Sequence, residues 1–168
     1  PSSTSFCFYW PGKPYLIREA QTEQDLDQVY RLAHDSIVET GQMKAKADGK
    51  IISYPNLDQD PSNTILLAME GKKLIGTISL AFDGQNGLNT DKYFPEITNT
   101  IRSEGKRLVS CFRLAIHSSW QHKGSLGLLM DMIKSSLVLS YMKYDFETIL
   151  MIVNSKYERV YKKMVGAE

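Results

Sequence analysis

Residues 107–134 read RLVSCFRLAIHSSWQHKGSLGLLMDMIK. The apolar, β-rich run 107–116 predicts a buried strand. A basic, glycine-punctuated turn, Gln121-His122-Lys123-Gly124, then opens into a helix predicted over 124–144, apolar on most of its circumference and therefore expected to be buried. ETILMIVN, 147–154, predicts another strand. A strand, a helix and a second strand in this order form a unit whose crossover is right-handed and whose two strands run parallel.

Working outward, YLIREA (15–20) alternates as a short strand. Thr22 has the character of an N-cap, with Asp25 three residues on as its capping partner, for a helix over 23–39 that Gly41 closes. Residues 42–63 form a long loop, of the length that usually carries function. TILLAME (64–70) and KLIGTISLAF (73–82) flank a Gly-Lys turn as a β-hairpin. A short helix interrupted near Pro95 follows over 91–105, and SKYERVYKKMVG (155–166) predicts a last helix ending at Gly166. The order β-α-β-β-(α)-β-α-β-α defines an α/β (α+β) fold, a central mixed twisted sheet flanked by helices. One domain is expected over 1–168, with 1–14 as an irregular lead-in whose aromatics Phe6, Phe8, Tyr9 and Trp10 pack on the body.

An apolar fraction of 42% and a charged fraction of 23% are those of an ordinary globular chain. The formal net charge of +1 gives no field for nucleic acid or a polybasic membrane contact. No apolar run reaches the ~18 residues of a membrane span. The opening lacks the basic start and apolar stretch of a secretory signal. Three histidines and two cysteines are too scattered for a metal site. Cys7 and Cys111 read as free thiols of a reducing compartment, so the expected location is the cytoplasm.

A helix start presents unpaired N–H groups and a partial positive charge, and glycines let a ligand approach the backbone. Gln121, Lys123, Gly124 and Gly127 fit a phosphate-holding turn; an ordinary strand-to-helix turn is the plainer reading. The P-loop is excluded, since no G-K-[ST] follows the glycines. The dinucleotide fingerprint is a poor match too, since its G-x-G-x-x-G spacing is absent and no acidic residue ends the next strand.

The strand, the Q-x-x-G turn, the helix, the next strand and NSKYERVYKKMVG together resemble the GNAT acyltransferase superfamily. VYRLAHDSIVETG, LIGTISL, YFPEITNTIRSEGKRLVSCFRLAI and VNSKYERVYKKMVGAE are similar to the long-chain N-acyl amino acid synthases of the FeeM type, cousins of the acyl-homoserine lactone synthases. The resemblance covers residues 15–168. It implies transfer of a long-chain acyl group from acyl carrier protein to the α-amine of an amino acid, with tyrosine as acceptor and acyl-phosphopantetheine as donor substrate, no cofactor being tightly bound. Four departures stand out. The lactone synthases carry a Glu in the central strand where this chain has Ser110 and Phe112, only Arg113 remaining, and an Arg at the hairpin's end where it has Ser79. Leu126 occupies a position that is small in the superfamily, which disfavours the diphosphate of free coenzyme A. The sequence also stops at MVGAE, where such folds usually continue into further strands.

Acyl transfer to an amine requires a held thioester, a polarised carbonyl, a base for the ammonium and an acid for the thiolate. The resemblance assigns donor-binding backbone to Leu114, Ala115 and Ile116, and places Asn154 at the end of the following strand, beside the donor. Tyr161 matches the superfamily's acid, with Tyr157 one turn earlier as its competitor. His117, Glu70, Glu96, Glu104 and Asp58 are candidate bases, His117 having the suitable ordinary pKa; a water relay is the alternative. Arg113 lies mid-strand in an apolar stretch, so it needs an anion: a carboxylate such as Asp35 or Glu39, or the acceptor's own carboxylate. Arg31 has the same two readings. Leu129, Met130, Met132, Ile133 and Met151 are candidates for an acyl slot or for plain core. His122, Lys123, Lys134, Arg102, Lys106 and Arg107 are expected to group about the donor entrance, where an acidic carrier protein docks. A short-chain acetyltransferase using acetyl-CoA and a non-catalytic binding domain remain as alternatives.

Overall fold

A computed structural model describes residues 5–121 and 124–166. The strands are β1 (Cys7–Tyr9), β2 (Leu16–Glu19), β3 (Thr64–Glu70), β4 (Lys73–Phe82), β5 (Leu108–Ile116) and β6 (Thr148–Met151). They form one sheet in the order β1-β2-β3-β4-β5-β6. Every pairing is antiparallel except β5–β6, which the intervening helix forces to be parallel. The helices are α1 (Glu23–Glu39), α2 (Pro55–Asp58), α3 (Pro95–Ser103), α4 (Ser118–Gln121), α5 (Ser125–Tyr144) and α6 (Glu158–Val165).

Two elements lie where the sequence reads as irregular. Part of the lead-in is an edge strand, β1, whose Phe8 and flanking Phe6 and Trp10 pack on the core while Tyr9 stays 77% exposed. The long loop contains the single turn α2, begun by Pro55 at its first position.

One face of the sheet packs on α5 through Ile17, Leu66, Ile78, Val109, Leu128 and Met132. Gly76 lets α5 approach closely there, since a Cβ would stand 2.8 Å from the Met132 sulfur and displace it. The other face packs on α1 through Val29, Leu32, Leu67 and Ala115. The expectation that α5 is buried holds on one side only. Its inward stripe includes Asp131, Ser135, Ser136 and Ser140, whereas Leu137, Val138, Tyr141 and Met142 are 37–66% exposed. Two residues of that stripe take partners from near the chain's start: the Tyr15 hydroxyl donates to Asp131 at 2.7 Å and the Trp10 indole to Ser135 at 3.2 Å, while Ser136 donates back to the Met132 carbonyl at 2.8 Å. A helix apolar on most sides carries no moment to say which side meets the sheet.

The Thr22–Asp25 capping box forms as the sequence indicates, and Gly41 follows the helix with φ +72°. Asp25 also takes two hydrogen bonds from Arg18, at 2.7 and 3.0 Å. That guanidinium first, and the Gln21 and Thr22 N–H groups after it, hold the carboxyl down at about 2 against an ordinary 3.8. A depressed carboxylate stabilises the fold fully above its unfolded value and ceases to as pH falls through its folded one. Acid denaturation followed by circular dichroism is therefore expected to show a loss between about pH 4 and pH 2 that Asp25→Asn removes. An unchanged acid profile in that variant refutes the assignment.

Candidate active site

The site grows from one irregularity in β5. Opposite Ile78 of β4, the pairing shifts from Ser79↔Phe112 to Thr77↔Ala115, so Arg113 and Leu114 together oppose one residue. Arg113 takes φ +50°, a left-handed conformation costly for a side chain of this size. The bulge bends β5 away from β6, and the parallel pairing ends at Cys111↔Met151 while β5 runs on to Ile116.

The strands part into a cleft of about 330 Å³, lined by Phe112, Arg113, Leu114, Asn154, Tyr157 and Tyr161 among others. It meets a second cavity of about 730 Å³ between α5, β6 and α6, with Cys111, Met151, Val153 and Tyr161 common to both. That cavity is mainly apolar, with Met130, Ile133 and Leu137 from α5. Three of the five slot candidates thus line it: Met130, Ile133 and Met151. Met132 is core beneath Gly76, and Leu129 lies outside the lining.

Tyr161 stands at the junction. Burial, and then neighbouring Tyr157, raise its phenol above the ordinary 10, so it remains protonated at neutral pH. Cys111 at the same junction is pushed to about 12 by burial, a thiol and not a thiolate. Asn154 borders the cleft and caps the turn before α6, its side chain accepting the Lys156 N–H at 3.0 Å.

The three backbone donors differ. The His117 N–H donates to the Ile75 carbonyl at 2.9 Å, and donors alternate along a strand, so Ile116 turns its N–H away from β4. Ala115, paired with Thr77, turns its N–H toward β4. Leu114 sits at the bulge and lines the cleft. Beyond, Gln121 reaches the Ile116 carbonyl at 3.4 Å, and Gly124 caps α5 with φ +110°. Lys123 and His122 lie outside the described residues. The sequence offered no sign that Lys13 of the lead-in would overhang this turn, its Nζ 3.4 Å from where a Cβ on Gly127 would be and 3.8 Å from Asp131.

Arg113 finds its anion in neither Asp35 nor Glu39. Nη2 donates to Asp58 Oδ2 at 2.8 Å and Nη1 to Ser79 Oγ at 3.3 Å; the two charged side chains are 3% and 2% exposed. Tyr30 of α1 donates its hydroxyl to the same Asp58 oxygen at 3.0 Å, and burial and that carboxylate push it up to about 12. The guanidinium lies 5.3 Å from the Tyr30 ring and 5.2 Å from that of Phe112, which Tyr54 meets edge-on at 5.1 Å. On the far side Asp58 borders an open groove of about 820 Å³.

Other expectations do not converge here. Arg31 points outward and pairs with Asp27 at 2.8 Å, so α1 does not offer it to the cleft. His117 lines neither cavity; its Nδ1 accepts the Ser119 N–H at 3.1 Å and lies 2.9 Å from the Ser119 hydroxyl, at the start of α4. Arg102 is held by Asp83 and Asp91, and Arg107 by Asp145 and Glu147. Together with Lys106, paired with Glu104, they precede β5, at the end remote from the α5 turn. Lys134 alone of the described candidates borders the apolar cavity. No cluster of three or more metal-ligating side chains is found among the described residues, nor a helix long and apolar enough to cross a membrane.

Residues 28–168 match the family model described as N-acyl amino acid synthase FeeM. The fold is similar to that of FeeM, an N-acyl amino acid synthase from uncultured soil microbes: TM-score 0.72, 19% identity, covering 95% of this chain and 77% of that one. An aminoglycoside acetyltransferase from an uncultured soil metagenomic sample gives 0.59 at 18% identity, covering 92% and 90%. A putative acetyltransferase from Agrobacterium tumefaciens gives 0.56 at 12%, covering 86% and 85%. A comparison with curated protein sequences finds no match.

Proposed function

The chain belongs to the N-acyl amino acid synthase FeeM family and is an acyltransferase, and from that premise we propose that it moves a long-chain acyl group from acyl carrier protein to the α-amine of tyrosine, in the cytoplasm. One observation carries the reading: the parting of β5 and β6 at the Arg113 bulge, which joins a cleft to a mainly apolar cavity with a protonated tyrosine at the junction. The cavity's size is that of a ligand site. Its apolar walls suit an acyl-pantetheine arm, and unpaired β5 amides suit the thioester oxygen, being fixed before charge develops there. The carrier's phosphate is assigned to the α5 N-terminus, with Gln121, Lys123, Gly124 and Gly127. Phe112, with Tyr54 edge-on behind it, gives the cleft an aromatic wall that suits tyrosine.

In this reading the ammonium loses a proton through water, and the free amine attacks the thioester carbon. The C–S bond then breaks, Tyr161 gives its proton to the departing sulfur, and the nitrogen sheds its second proton to leave an amide. Mass spectrometry of lipid extracts from bacteria expressing the chain, beside a Tyr161→Phe control, tests this. N-acyl tyrosines of long chain are expected with the native chain and not with the control. Acetylated products instead indicate an acetyl-CoA enzyme, and their appearance without long-chain products overturns the proposal.

Gly124→Val is expected to raise KM for the carrier-bound donor at least about tenfold, about 1.4 kcal/mol. The added Cβ meets nothing within 4 Å, so the strain is in the backbone, where φ +110° excludes a β-branched residue. The position is exposed, so the strain is relieved by re-aiming the helix N–H groups and not by unfolding. An unchanged KM removes this turn from donor binding.

A further inference from the structure

Acyl transfer makes no use of the outer face of α5. Leu137, Val138, Tyr141 and Met142 recur there at spacings of three and four, so they form one stripe, and all of them are exposed. The stripe is continuous with the apolar cavity. Leu137 lines that cavity and is itself exposed, so wall and surface meet at its side chain. Cations border the stripe. Lys134 stands one turn before Leu137 and Val138, and it lines the cavity together with Lys162 of α6. Lys156, Arg159 and Lys163 are exposed near Lys162. Against them stands Glu158, paired with Lys162 at 3.1 Å, and residues 132–144 contain no Asp or Glu. At the stripe's far end Asp145 and Glu147 are paired with Arg107. A net charge of +1 over the whole chain hides this concentration.

We propose that this face seats the protein on an anionic lipid surface, and that the N-acyl product passes to that surface from the cavity. An exposed apolar stripe bordered by Lys and Arg sinks into the boundary between headgroups and acyl chains, and each cation near the surface adds to its attraction for anionic lipid. Tyr141 suits that depth, with an apolar ring and a polar tip. Other occupants fit less well. A second copy of the chain would set the same cations against one another across a symmetric contact. An acidic protein would answer the charge but not the continuity of stripe and cavity. A bilayer answers both, because what fills the cavity in the acyltransferase reading is itself a lipid chain. The product's chain is no longer tied to a carrier, and leaving along the stripe keeps it out of water. Product passage rests on the acyltransferase reading; lipid binding does not.

Sedimentation of the whole chain with vesicles tests the seat without any donor. Partitioning onto vesicles of phosphatidylglycerol and phosphatidylcholine in equal parts is expected to exceed that onto phosphatidylcholine alone at least about tenfold. It should fall as salt is raised to about 1 M, where the screening length is about 3 Å. Leu137→Glu with Tyr141→Glu is expected to lower partitioning onto the mixed vesicles at least about tenfold. Lys134→Gln with Lys162→Gln, at exposed positions, is expected to remove the preference for anionic lipid while keeping the fold. Ile97→Glu is the control: this residue is as exposed, but α3 packs on the other face of the sheet, and its partitioning should match the native chain's. Equal partitioning onto both kinds of vesicle, or onto neither, overturns the proposal, as do stripe and lysine variants that bind like the native chain. A stripe variant defective only in affinity for carrier protein or in self-association overturns it too, since the face then belongs to that partner. Preloaded N-palmitoyl tyrosine should leave the native chain faster with mixed vesicles than into buffer; equal rates refute product passage. Failure of the acyltransferase reading shows separately, as vesicle binding without acyl product.

Discussion

Arg113→Ala is expected to lower the stability of the fold by about 3–5 kcal/mol, the usual loss when one partner of a buried ion pair is removed. Asp58 would then hold a charge in a site where its side chain is 2% exposed, with only the Tyr30 hydroxyl to stabilise it. The conformation adds to the case. Arg113 is kept at φ +50°, worth roughly 1–3 kcal/mol of strain, and the guanidinium's bonds to α2 and β4 are what offset it. Urea denaturation measures the loss directly. Two comparisons isolate its cause. Tyr30→Phe, which removes one hydrogen bond, is expected to cost about 1 kcal/mol. The pairing Arg113→Met with Asp58→Leu removes both charges and is expected to be less damaging than either charge removed singly. A single Arg113→Ala variant within about 1 kcal/mol of the native chain would show that the pair does not hold the bulge.

The difference between what was legible in the sequence and what was not is visible at this same pair. The β-α-β unit, the hairpin about Gly71 and the capped first helix were all readable, because each is set by periodicity and turn chemistry over a few adjacent residues. That Arg113 needs an anion was equally readable, since a guanidinium in an apolar strand cannot stand alone. Which anion was not. Asp58 is 55 residues away in a loop without periodicity, and no local rule fixes how that loop returns over β5. The bulge was hidden for a related reason: it appears only when β5 is laid against β4, and the apolar run 107–116 carries no glycine to announce it. His117 and Arg31 stand outside the cleft for the opposite cause. Each has suitable chemistry at a suitable place along the chain, but local bonds, to Ser119 and to Asp27, draw them elsewhere.

Tyr161→Phe is expected to lower kcat by about 10²–10⁴-fold, the range for loss of a general acid. KM for either substrate and thermal stability should change little, since the ring and its packing at the junction are kept. The sign of the pH effect follows from the direction of the shift. Burial and Tyr157 raise this phenol above 10, so the acid form persists across the neutral range and is lost only as pH rises beyond that raised value. Between pH 6 and 9 the rate should therefore climb, with the acceptor's ammonium losing its proton, and the variant should keep that limb because the limb does not belong to Tyr161. The decisive readout is the leaving group. An aryl thioester departs as a weakly basic thiolate that needs no proton, so the variant's deficit should shrink sharply with such a donor, whereas an alkyl thioester should show it in full. Tyr157→Phe serves as the control: this ring also lines the cleft but is 45% exposed, and its loss should leave kcat within about threefold. If the large loss and the leaving-group dependence follow Tyr157 instead, the acid is the residue one turn earlier; if neither variant shows them, the thiolate takes its proton from water and the tyrosine at the junction is there for its shape.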